Sequence, residues 1–258
     1  MTDGLYAASG LLVGLLVGLT GVGGGSLMTP LLVLLFGVHP ATAVGTDLLF
    51  AASTKTVGTL VHGAGRNIEW RIVGLLVAGS VPATALTLLL LSLLGLSGGE
   101  SRRLITLALG AVLLVTSAFL LLGGRLRLRY AERIGALDPR IVSGLTVLLG
   151  FAMGVLVTTT SVGAGAIGVT VLLLLFPKLP AARIVGSDIA HAVPLTLVAG
   201  AGHWWLGSVD WTLLGPLLFG SLPGIVIGSR LAGRIPDGAV RIALALVLIV
   251  GGIRLVMV

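Results

Sequence analysis

Two lysines occur in this 258-residue chain, and one of them, Lys55, lies in the middle of an apolar run over residues 41–61. Ser53, Thr54 and Thr56 stand beside it. A charged group at the centre of a membrane span costs about 2.5–3.5 kcal/mol on insertion scales, so such a residue is a functional candidate by default. The competing reading is a snorkelling side chain, but the nearer end of the run is six residues away. Lys55 therefore reads as a substrate or coupling residue. Two carboxylates follow the same logic. Asp47 comes after Gly45-Thr46, and Asp188 after Gly186-Ser187. Either they serve proton coupling, or they complement the first turns of their own helices. His191 lies three residues beyond Asp188, on the same helix face, and is a third coupling candidate.

Glycine clusters supply a different chemistry. One is Gly21-Val22-Gly23-Gly24-Gly25, running into Ser26; the other is Ser161-Val162-Gly163-Ala164-Gly165, preceded by Thr160. Each leads into an apolar segment, residues 26–38 and 166–176, too short for the roughly 20 residues of a full span. Each short segment reads as a half-helix whose free N–H groups and positive dipole end sit inside the membrane. Discontinuous helices with inward N-termini hold anionic groups in many transporters. The backbone amides of Gly23, Gly24, Gly25, Gly163 and Gly165, with the Ser26, Thr160 and Ser161 hydroxyls, thus form the candidate anion site. The simpler alternative is that these glycines only permit tight packing and a kink. No cysteine is present, which removes thiol catalysis and cysteine-based metal sites. Neither a His-Glu-x-x-His set nor a Walker phosphate loop occurs. No catalytic residue, metal or cofactor is expected.

The elements that carry these groups follow from composition. The chain is 56% hydrophobic and only 10% charged, against about 25% charged in ordinary soluble domains, and its mean hydropathy is +1.16. Such a chain reads as a polytopic all-α membrane protein. Glycine, 40 of 258 residues, suits closely packed membrane helices. The net charge of +7 comes from arginines between apolar runs, so it reads as an orientation signal and not as a nucleic-acid footprint.

The chain also repeats itself. The sequence Gly45-Thr46-Asp47 matches Gly186-Ser187-Asp188, His62 falls on His203, and Glu69-Trp70 on Asp210-Trp211. Gly79-Ser80-Val81-Pro82 falls on Gly220-Ser221-Leu222-Pro223, all at a shift of 141 residues. Apolar composition alone does not align Asp, His, Trp and Pro in order. The reading is two homologous repeats, residues 1–124 and 139–258, each a glycine-broken helical hairpin plus three transmembrane helices. An Arg-rich linker over residues 125–138 joins them. Matching loops carry opposite charge bias: Arg66 and Arg71 in one loop have no basic counterpart near residues 207–210, while Lys178 and Arg183 have none near residues 38–41. The repeats therefore read as inverted, with the arginines of residues 125–140 cytoplasmic. The His and Trp pairs read as helix-end and interface features. Ser80 and Ser221 read as hydroxyls that re-satisfy carbonyls freed at Pro82 and Pro223.

The ordered set of motifs resembles the TauE/SafE sulfite exporter family, also called the 4-toluene sulfonate uptake permease family. The resemblance rests on Gly21-Val22-Gly23-Gly24-Gly25 with Pro30-Leu31, on Pro40-Ala41 with Gly45-Thr46-Asp47, and on Arg66-Asn67-Ile68-Glu69-Trp70-Arg71. The second copy, from Gly186-Ser187-Asp188 to Pro223, extends it over nearly the whole chain. The second half departs from the first in having Thr170 opposite Pro30. The resemblance implies a carrier of sulfite or organosulfur anions in a bacterial-type inner membrane, with seven or eight spans. The expected function is a secondary transporter working by alternating access, with proton coupling through Asp47, Asp188 or His191. A passive anion channel using the same glycine site is the alternative. The expected partners are a small anion and the lipid bilayer. Oligomeric state is not legible.

Overall fold

The computed structural model describes residues 2–20, 25–94, 99–135, 137–231 and 237–257. Among these the chain is all-helical, in ten helices. They are α1 (Thr2–Thr20), α2 (Gly25–Leu34), α3 (Pro40–Ala64), α4 (Trp70–Leu94), α5 (Gly99–Gly135), α6 (Pro139–Thr160), α7 (Ala166–Leu175), α8 (Ala181–Trp205), α9 (Trp211–Leu231) and α10 (Asp237–Met257). The stretches Trp70–Leu93, Arg103–Arg127, Pro139–Thr160, Ala181–Trp205 and Trp211–Gly228 are long and apolar enough to cross a membrane. The chain is a multi-pass membrane protein. The helix α3 matches α8 in length and, like it, buries polar groups: Thr46, Asp47, Thr54 and Lys55 on α3.

Both expected half-helices are present. The helices α2 and α7 have ten residues each. At 1.5 Å per residue they rise about 15 Å, half of the ~30 Å hydrocarbon core. The Arg-rich segment is helical over most of its length. It continues α5 without a break to Gly135, because Arg and Leu favour helix and no proline intervenes before Pro139. Only residues 136–138 separate α5 from α6. Asp138 then caps α6 by accepting from the Arg140 N–H at 2.7 Å. Asp210 starts α9 in the same way, accepting from the Thr212 and Leu213 N–H groups. Trp70, Trp205 and Trp211 are exposed near helix ends, as expected of an interfacial aromatic belt.

Glycine seams hold the long helices together. In lipid, association relies on close van der Waals packing, which small residues allow. A Cβ on Gly10 would lie 2.2 Å from the Leu217 carbonyl oxygen, one on Gly14 2.4 Å from that of Ser221, and one on Gly228 2.2 Å from that of Leu15. These contacts advance together, so α1 and α9 run parallel. The helices α4 and α6 do the same, with Gly150 on Leu76 and Gly154 on Ser80. The pair α3 and α8 is antiparallel: Gly45 abuts His203 and Ser208, while Gly58 meets Ile189. The pair α5 and α10 is antiparallel too, with Gly110 against Leu255 and Leu114 against Gly252. The pairings α2 with α3 and α7 with α8 complete the pattern, as do α5 with α7 and α10 with α2. Exchanging α1–α5 for α6–α10 maps this set of pairings onto itself, with α3–α8 and α5–α10 each returned unchanged.

Turns at the two ends of the bundle are tied down by matching contacts. Ser187 on α8 accepts from the Glu69 N–H at 2.8 Å, and Thr46 on α3 accepts from the Asp210 N–H at 3.0 Å. Arg183 and Glu69 form an ion pair at 3.8 Å, which brings the α3–α4 and α7–α8 turns to one end of the molecule.

The seams can be tested by substitution. A Cβ on Gly220 would lie 1.8 Å from the Ala7 carbonyl oxygen. Gly220→Val is therefore expected to destabilise the protein by about 2 kcal/mol in thermal unfolding in detergent. Gly144 has open space around it, so Gly144→Ala is expected to be neutral or to stabilise by up to about 1 kcal/mol.

Candidate functional site

The second glycine loop is buried throughout, and its backbone explains its composition. The helix α6 stops at Ser161, whose left-handed conformation (φ 58°) lets its N–H bond the Val157 carbonyl. Gly163 and Gly165 have φ values of 118° and 114°, a region closed to side chains. The Thr160 hydroxyl donates to the Leu156 carbonyl at 2.6 Å and accepts from the Val162 N–H at 3.2 Å. It shapes the loop, and its hydrogen-bonding capacity is used there. Gly165 is the N-cap of α7 and makes no side-chain cap. The N–H groups of the first turn of α7 are thus left without a cap acceptor. Of the first glycine loop, Gly23 and Gly24 lie outside the described residues. Gly25 begins α2, and Ser26 is the next residue of that helix.

The two aspartates do not cap their own helices. Each lies two turns inside, fully buried, and each reaches across to a half-helix. Asp47 Oδ2 accepts from the Thr29 hydroxyl of α2. Asp188 sits against the first turn of α7. A Cβ at Gly168 would fall 2.2 Å from Asp188 Oδ1, so glycine is what admits the carboxylate there. The Gly165 N–H lies close to the same carboxylate. One oxygen of each carboxylate, Oδ1 in both cases, has no hydrogen-bond partner. Ser161 is buried, and its hydroxyl lies close to Asp47 without the geometry of a hydrogen bond.

Lys55 completes the cluster. It is buried at 7% exposure on α3 and lies within electrostatic reach of Asp47, Asp188 and His191. No carboxylate is within 4 Å of it among the described residues. The corresponding position on α8 is Thr196, whose hydroxyl is turned back to the Ala192 carbonyl at 2.7 Å. The two halves therefore share their carboxylates but not their cation. His191 Nε2 pairs with the Ser80 hydroxyl of α4 at 2.9 Å, leaving Nδ1 unpartnered. Ser80 is thus engaged by a side chain and not by the carbonyls near Pro82, and Ser221 bonds the Leu218 carbonyl at 3.3 Å rather than that of Phe219, the one Pro223 leaves without an N–H donor. His203 donates from Nε2 to the Thr158 carbonyl at 2.9 Å, a framework contact.

Three features lay beyond the reach of sequence reasoning. The hydroxyls of Thr46 and Ser187 are loop clamps; their recurrence in the repeated Gly-Thr/Ser-Asp motif was the available signal. Gly168 is the seat of Asp188. A cavity of about 150 Å³ beside the first turn of α7 is lined by Gly165, Ala166 and Thr170, and by Arg127 of α5 and Arg241 of α10. Nothing in the local sequence brings those two arginines together. Chemically, the buried cluster offers one ammonium, two carboxylates with a free oxygen each, one free hydroxyl and an uncapped helix start. No group of three or more His, Cys, Asp or Glu able to hold a metal ion occurs among the described residues.

Comparisons with known proteins bear on what this cluster serves. The family model described as Sulfite exporter TauE/SafE matches residues 6–255. The chain is 38% identical over 251 residues to a Bacillus subtilis (strain 168) protein named "Probable membrane transporter protein YjnA", covering 96% of this chain and 97% of that protein. It is 29% identical to "Probable membrane transporter protein YdhB" of the same organism, covering 95% and 96%. It is 28% identical to a "Probable membrane transporter protein" of Xylella fastidiosa (strain 9a5c), covering 88% and 83%. No solved structure matches it.

The electrostatic link between Lys55 and Asp188 is open to a double-mutant cycle. Lys55→Met and Asp188→Asn are expected to be non-additive by about 1 kcal/mol or more in detergent unfolding. Additive effects would show that the two groups do not sense each other.

Proposed function

The chain belongs to the TauE/SafE sulfite exporter family, and from that premise we propose that it is a secondary transporter carrying a small oxyanion, sulfite or an organosulfonate, by alternating access. The observation that carries this reading is the buried Lys55, placed among groups that converge on the start of a half-helix. A lone ammonium and uncapped N–H groups are complementary to an anion. In this reading the amides of Gly23, Gly24, Gly25, Gly163 and Gly165 take the oxyanion, Lys55 supplies charge, and the Ser26 and Ser161 hydroxyls fill remaining oxygen valences. Thr160 acts one step back, by holding the loop. Arg127 and Arg241, at the cavity beside α7, attract the anion toward the site.

Asp47 and Asp188 then have a defined role. An arriving oxyanion competes with Asp188 for the same donors. The displaced carboxylate takes a proton, and anion movement becomes tied to proton movement. His191, held by Ser80, is the further coupling candidate. The antiparallel sense of the pairs α3–α8 and α5–α10 supports an inverted duplication, because helices paired across an in-plane two-fold axis must run in opposite directions. Repeats 1–124 and 139–258 rocking against each other then give alternating access. The basic residues of the α3–α4 turn, of the end of α5 and of the α7–α8 turn gather at one end, which supports a cytoplasmic placement of residues 125–140 in an inner membrane.

Transport assays on purified protein in liposomes test this. Lys55→Gln is expected to lower sulfite or sulfonate uptake by about a hundredfold, on the scale of losing one charge-assisted contact in a dry site. Undiminished uptake would remove Lys55 from the site. Arg127→Gln with Arg241→Gln is expected to raise the KM several-fold with little change in the maximal rate. Counterflow against a concentration gradient is expected of the carrier. Fast, purely passive conductance with no counterflow would instead favour an anion channel built on the same site. An imposed proton gradient is expected to drive uptake of the wild type, and Asp188→Asn to abolish that drive while leaving passive exchange.

A further inference from the structure

An apolar groove of about 210 Å³ opens at the end of the bundle where α5 meets α6. It lies between the first turns of α4 and α6, the last turn of α5 and the α7–α8 turn. Ile72, Leu75, Val142 and Phe176 are among the side chains that line it, and two cations, Arg71 and Lys178, stand in the same lining. Both cations are exposed, and no carboxylate lies within 4 Å of either among the described residues. Among the described residues, Glu69 pairs with Arg183 and Asp138 caps α6. Beside the groove, α6 exposes Ile141, Leu145 and Leu148, and Trp70 next to Arg71 is 65% exposed. An apolar helix face with an interfacial Trp and adjacent basic residues marks the boundary between hydrocarbon and headgroups.

We propose that this groove binds an anionic phospholipid of the leaflet at that end, its acyl chain along the apolar floor and its phosphate between Arg71 and Lys178. Basic pockets between membrane helices select anionic headgroups through the charge of their Lys and Arg, and arginine meets phosphate oxygens with paired N–H donors. The apolar lining separates this ligand from a soluble anion. A free phosphate would gain the two cations but would leave the floor of the groove without a partner. The proposal rests on the membrane location of the chain and is independent of the substrate it carries.

Native mass spectrometry of the protein released from nanodiscs containing phosphatidylglycerol and phosphatidylcholine provides the test. The wild type is expected to retain phosphatidylglycerol in preference to phosphatidylcholine. The double variant Arg71→Gln/Lys178→Gln is expected to lose that preference by about tenfold. Val142→Trp, which fills the groove and leaves both charges in place, is expected to weaken retention similarly. Arg125→Gln/Arg129→Gln, which removes the same charge outside the groove, is expected to leave it unchanged. Wild-type retention in Arg71→Gln/Lys178→Gln or in Val142→Trp would overturn the proposal, as would equal loss in Arg125→Gln/Arg129→Gln. Displacement of the lipid by inorganic phosphate would overturn it too, by marking a site for a free anion. Should the double charge variant fail to fold, Val142→Trp and phosphate competition decide the question.

Discussion

A helix that ends inside hydrocarbon leaves N–H groups that no lipid can serve, so its end must be buried in protein. The arrangement around α7 follows from that requirement. The loop before it is closed by glycines at positive φ and by the Thr160 hydroxyl, and it is wrapped on all sides by neighbouring helices. Asp188 is brought against the first turn, where a negative charge offsets the uncapped N–H groups, and Gly168 leaves the space that the carboxylate occupies. The long helices around this point pack through glycine seams that place backbone on backbone. A bundle so closely packed can hold a broken helix in its interior.

The charge distribution of the cluster is uneven, and that unevenness bears on mechanism. Both halves supply an aspartate to a half-helix, Asp47 through Thr29 and Asp188 through the backbone of α7. Only the first half supplies a cation, because Thr196 stands where Lys55 would recur. A single ammonium shared by two buried carboxylates has no arrangement that fully compensates both. A small oxyanion entering such a cluster changes which groups are compensated. In the proposed transport cycle this competition links anion and proton. The two halves would then share an architecture without being functionally equivalent.

Much of this was legible in the chain itself. Low charge and long apolar runs define a membrane protein, since a chain with a tenth of its residues charged has too little polar surface to cover a soluble globule. Glycine clusters followed by short runs located the helix breaks, and α2 and α7 began within one residue of the expected positions. The improbability of a lysine or aspartate in an apolar segment singled out Lys55, Asp47 and Asp188, and all three are buried. The charge of residues 125–135 marks the end of the apolar run but not of α5, which continues to Gly135 because arginine is a good helix former.

Partnership was settled only by the tertiary structure. Ser80 stands ready, by local sequence, to bond a carbonyl near Pro82, yet its hydroxyl is held by His191 from another helix. The aspartates, placed by local rules at the starts of their own helices, serve α2 and α7 instead. Arg127 and Arg241, more than a hundred residues apart, share one cavity with the start of α7. The physical reason is common to all of these. In water, an apolar stripe tells which face of a helix turns inward. In a bilayer, lipid and neighbouring helices are equally apolar, so hydropathy shows that a helix is embedded but not which neighbour each face meets. Class, helix breaks and costly residues are therefore set by local sequence and solvent, and the meeting of side chains from distant helices by close packing alone.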